Sequence, residues 1–74
     1  MDKTFSIQGA ATAENINVMF KLQQTFDLPI SIEQKGKLTD ELYEFEAKSD
    51  KISAFKLEWF VDTAEAIYDM QKTE

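Results

Sequence analysis

The chain has no cysteine, no histidine and no arginine, and only one proline and two glycines. Each absence removes a class of chemistry. Without cysteine there is no disulfide, no thiolate nucleophile and no zinc–cysteine site. Without histidine the chain lacks the side chain that titrates nearest neutrality, which is also the commonest transition-metal ligand. Without arginine it lacks the planar fork that grips phosphate or guanine in bidentate fashion. No apolar run approaches the ~20 residues of a membrane span. No N-terminal basic and apolar stretch reads as a secretion signal, so the expected location is the cytoplasm.

What the chain has is acid. Fourteen Asp and Glu against eight Lys give a net charge of −6 in 74 residues. Such a chain repels nucleic acid and anionic lipid at neutral pH, so the expected electrostatic partner is a basic protein surface. The length sets one domain, residues 1–74. A domain of this size buries only about 60% of the surface its unfolded chain exposes. Six Phe, two Tyr and one Trp supply apolar area, and self-association would add more, so a homodimer is expected.

Alternation and caps give an α+β reading. Thr4–Gln8 alternates as a strand that Gly9 ends. A first helix starts near Thr12, a good N-cap, with Glu14 complementing the dipole, and stops ahead of Pro29. Leu28–Glu33 reads as a second strand, followed by a turn over residues 34–37 with Gly36 at positive φ. Leu42–Lys48 is a third strand, with Tyr43, Phe45 and Ala47 inward. Phe55, Leu57 and Trp59 then alternate with Lys56 and Glu58, which predicts a fourth strand over residues 53–60, joined to the third by a hairpin at Ser49–Lys51. That register sets Phe45 opposite Phe55 and Glu44 opposite Lys56, both favourable pairs. Asp62 and Glu65 form a capping-box variant that opens the last helix. An internal echo favours the same strand-then-helix unit twice, because residues 12–19 and 63–70 agree at five of eight positions. The expectation is therefore β-α-β-β-β-α, a mostly antiparallel four-stranded sheet with two helices on one face. The alternative is β-α-β-β-α with a long C-terminal helix from about 50 to 71, on which Ile52, Phe55, Trp59, Ala66 and Met70 share a face.

Candidate sites follow from the four-stranded reading. Glu33, Glu44, Glu46 and Glu58 would project from the open face of the sheet as a docking surface for a basic partner; an ordinary solvated face would carry the same residues. Leu42 and Phe60 would point outward as a self-association patch. Asp40, Glu41, Glu44 and Glu46 form the densest acidic run but lack calcium-loop spacing. The stretch Gly9–Thr12, between strand and helix, carries too little glycine and positive charge for a phosphate loop. No catalytic residue, metal or cofactor is expected. The function expected is a small acidic, non-enzymatic protein-interaction module, of the kind found among bacterial or phage accessory proteins. The alternatives are an inhibitor that mimics nucleic acid to block a DNA- or RNA-binding protein, or a small-ligand-binding domain.

Overall fold

A computed structural model describes residues 3–72. The element order is β1 (Phe5–Thr12), α1 (Ala13–Phe26), β2 (Ser31–Lys37), β3 (Leu42–Ser49) and α2 (Ala54–Lys72). The three strands form one antiparallel sheet in the order β1-β3-β2. This is the β-α-β-β-α arrangement with a long last helix, and the four-stranded reading is corrected.

The correction turns on residues 49–57. The expected hairpin does not form because serine side chains redirect the chain there. The Ser49 hydroxyl accepts from the backbone N–H groups of Lys51 and Ile52, each at 3.0 Å, and donates to the Pro29 carbonyl at 2.6 Å. Ser53 then opens α2. Its carbonyl accepts the first helical bond from Leu57 at 2.9 Å, and its hydroxyl accepts from the Lys56 N–H at 3.4 Å. Asp62 and Glu65, expected to cap a helix, lie exposed inside one.

Two other boundaries differ. Gly9 does not end β1; it pairs with Phe45 in mid-strand. Gly36 has no positive φ, and β2 runs on to Lys37 through a register shift between Gln34 and Lys37. The turn lies later, at Leu38–Glu41. There the Thr39 hydroxyl accepts from Leu42 N–H at 3.0 Å and Leu38 N–H donates to the Leu42 carbonyl at 2.8 Å. The first helix is as expected at its start, where Thr12 Oγ1 accepts from Asn15 N–H at 3.1 Å. It ends at Asp27, whose left-handed backbone (φ 50°) satisfies the last carbonyls ahead of Pro29.

Both helices cover one face of the sheet. Phe45 and Ala47 of β3 and Ala11 of β1 form the core with Ile16 and Met19 of α1 and Leu57, Phe60 and Ala64 of α2. Helix α2 turns a different side to the core from the one its apolar pattern suggested. Leu57 is 0% exposed, whereas Phe55 is 80% and Trp59 is 65% exposed.

Candidate functional site

The sheet face, the first of the expected surfaces, is held together by Glu46. Its carboxylate lies 3.3 Å from Lys35 Nζ of β2 and 3.4 Å from Lys48 Nζ of β3, and it accepts from Gln8 Nε2 of β1 at 3.4 Å. One acid thus ties all three strands. Partial burial pushes the Glu46 pKa upward, but the hydrogen bonds from Gln8 and Lys35 and the two lysine charges outweigh it and hold the group below its ordinary range. The Lys35 ammonium is correspondingly raised, first by its hydrogen bond to Glu46 and then by that carboxylate's charge.

Glu33 stands directly opposite Glu46, and Glu44 follows on the same face. The face therefore carries three carboxylates against two ammonium groups, and its charge nearly cancels. Glu58 is not part of it. It lies exposed on α2, behind the sheet, because residues 54–72 are helical. The four expected acids are thus divided between two surfaces. The self-association pair is divided as well. Leu42 is half-buried at the start of β3, and Phe60 is 2% exposed and belongs to the core.

The surfaces that stand out lie on either side of α2. At about 100° per residue, each row of the helix is turned by one position from the next. The row Leu57, Phe60 and Ala64 faces the core. On one flank, Phe55 and Trp59, four residues apart, stand over a depression of about 390 Å³ floored by Leu28, Ile30, Ile52 and Phe60. On the helical alternative Phe55 and Trp59 share one side, and the structure turns that side outward. The signal that it faces outward is Lys56 within it, beside the fully apolar Leu57 and Phe60 row.

The other flank is the row Glu58, Val61 and Glu65. It runs beside β1 and leaves a furrow of about 480 Å³, bounded on the sheet side by the consecutive residues Ile7 to Ala11. Met19, Phe45 and Asn15 form its floor. Asn15 is 7% exposed, and its Oδ1 has no hydrogen-bond partner. Sequence alone gave no signal for this furrow, since it exists only once β1 is the sheet edge and α2 lies along it.

Among the described residues, no cluster of acidic side chains could hold a metal ion, and no helix is long and apolar enough to cross a membrane. No known protein family, curated protein or solved structure matches the chain.

Proposed function

We propose that the protein is a small acidic, non-enzymatic interaction module that docks on another protein presenting an apolar pocket within a basic surface. The observation that carries this is the Phe55–Trp59 pair. Two large aromatic side chains, 80% and 65% exposed and adjacent on one helix, are the residue types that anchor interfaces when they enter a partner's pocket. The net charge of −6 would speed encounter with a basic partner and fix its orientation. The non-enzymatic reading draws on the missing histidine and cysteine, and on the fact that Glu46 and Lys35 pair with each other on an open face instead of in a cleft. The mimicry of nucleic acid has less support, because Lys35 and Lys48 interrupt the carboxylates of the sheet face.

The test is affinity capture from the native cell with wild type and with the Phe55→Ala, Trp59→Ala variant. Both positions are exposed on a helix, so the thermal midpoint should hardly change. The partner should be lost from the variant, with a weakening of about 2 kcal/mol or more for a true anchor. Equal capture by both chains would overturn the reading.

A further inference from the structure

We infer that the furrow between β1 and α2 is a second docking site, and that its occupant is an extended segment of a partner protein with two basic residues flanking a small apolar one. The inference rests on the interaction-module reading but uses a different surface from Phe55 and Trp59.

The first argument is the edge itself. An edge strand presents unpaired backbone donors and acceptors, and proteins normally block such edges with charge, proline, bulges or a covering segment. The other edge, β2, is blocked in this way: it carries Glu33, Lys35 and Lys37 and a register irregularity. The β1 sequence, Phe-Ser-Ile-Gln-Gly-Ala-Ala-Thr, has no charge and no proline, and its pairing with β3 is regular over all eight residues. Among the described residues no strand pairs with its outer side. Every second residue of an antiparallel edge strand turns its N–H and C=O away from its neighbour. Addition of an extended peptide to such an edge is a recurring mode of recognition.

The second argument is the furrow along that edge. Gly9, Ala10 and Ala11 keep the strand wall low, and the Val61 side chain lies opposite. An added strand would direct alternate side chains into this space. Asn15 lines this space, and its buried Oδ1 lacks a hydrogen-bond partner, which leaves unmet polarity beneath the furrow.

The third argument selects the occupant. Glu58 and Glu65 are exposed on the α2 wall, seven residues apart and on the same side of the helix with Val61 between them. Their separation along the axis is roughly 10 Å. In an extended segment, side chains at positions i and i+4 point the same way and lie roughly 13 Å apart, a difference that flexible lysine stems absorb. The matching pattern is basic, any, small apolar, any, basic, with the central residue over Val61. A second copy of this chain fits less well. Antiparallel pairing of β1 with its own copy would bring both α2 helices together across the furrow, with Glu58 and Glu65 of each facing the other pair.

The test uses the full chain with a fluorescent peptide of sequence SKTVTKS, a reversed-charge control SETVTES, and amide NMR. Binding of the first peptide alone is expected, with shift changes along Ile7–Ala11, slowed exchange at the alternate amides there that face away from β3, and shift changes at Glu58, Val61 and Glu65. The affinity should fall as salt rises, and the Glu58→Lys, Glu65→Lys variant should bind about tenfold more weakly or worse. The milder Glu58→Gln, Glu65→Gln variant should fall between, and unchanged circular dichroism would show that both variants fold. Several results overturn the inference: no binding, equal binding of both peptides, shifts confined to the Glu33–Glu44 face or to Phe55 and Trp59, or sedimentation showing a dimer whose β1 amides are already protected without peptide. A peptide that fails while capture still depends on Phe55 and Trp59 would sink this inference and leave the proposed function standing.

Discussion

A Cβ built on Gly9 would stand 3.0 Å from Cζ of the Phe45 ring, which is 3% exposed and held in the core. The glycine is needed for the space above the strand and not for a special backbone angle. Gly9→Ala should therefore destabilise the fold by about 1–2 kcal/mol, the overpacking cost less the entropy that alanine saves. Urea titration measures it. Combining Gly9→Ala with Phe45→Leu should cost less than the sum of the two changes. A second residue-scale prediction concerns Glu46. Its pKa is lowered in the folded state, so its contribution is fully present above the ordinary carboxylate range and is lost as pH falls through the folded value. The stability difference between wild type and Glu46→Gln should thus shrink as pH drops from about 6 to about 3. For Lys35, raised in the folded state, the contribution is present below 10.5 and is lost only as pH rises past the folded value.

The helix start separates two residues that look equally suited to it. Ser53 caps α2, so Ser53→Ala should cost about 1 kcal/mol in thermal or urea unfolding. Asp62 lies exposed in mid-helix, so Asp62→Ala should stay within about 0.5 kcal/mol. A reversed order would return the strand to residues 53–60. Much of the fold was legible at this scale. Thr12 as a cap, the inward Tyr43, Phe45 and Ala47, and a helix halted before Pro29 all follow from local pattern. The run Phe55 to Phe60 was not legible, because it satisfies both periods: Phe55, Leu57 and Trp59 alternate, while Leu57, Phe60 and Ala64 recur at helical spacing. The echo between residues 12–19 and 63–70 misled further. Its first copy begins a helix at Thr12, whereas its second lies wholly inside one. Of the candidate site, the acids Glu33, Glu44 and Glu46 were correctly grouped on one face. The neutralisation by Lys35 depends on cross-strand register, which a single sequence does not encode locally, whereas Lys48 stands two residues beyond Glu46 on the same strand, where alternation alone puts it on that face.

Across the whole molecule, charge and shape are unevenly distributed. The sheet face is nearly neutral, and the excess negative charge lies elsewhere, including Glu58 and Glu65 on α2. Self-repulsion at net −6 should make the free protein modestly more stable as salt rises from about 0.01 to 0.15 M. Thermal melts across that range check this. The two flanks of α2 share no side chain that contacts both surfaces' centres. If a single partner spans both, the Phe55→Ala, Trp59→Ala and Glu58→Lys, Glu65→Lys changes should add within about 0.5 kcal/mol in its binding free energy. Association kinetics should divide them, the acidic pair acting on the on-rate and the aromatic pair on the off-rate.

The strand order has a consequence in time. The β2–β3 pair is joined by the short Leu38–Glu41 turn and can close early, but β1 must find β3 across a much longer stretch of chain, from Thr12 with Leu42 at the near end to Phe5 with Ser49 at the far end. Loop closure over that distance precedes any reward from contact. The rate of folding should therefore respond to a change in the turn, such as Thr39→Ala, more than to one in β1. Gly9→Ala should act mainly by speeding unfolding. Stopped-flow chevrons of the two variants would establish which strand joins last.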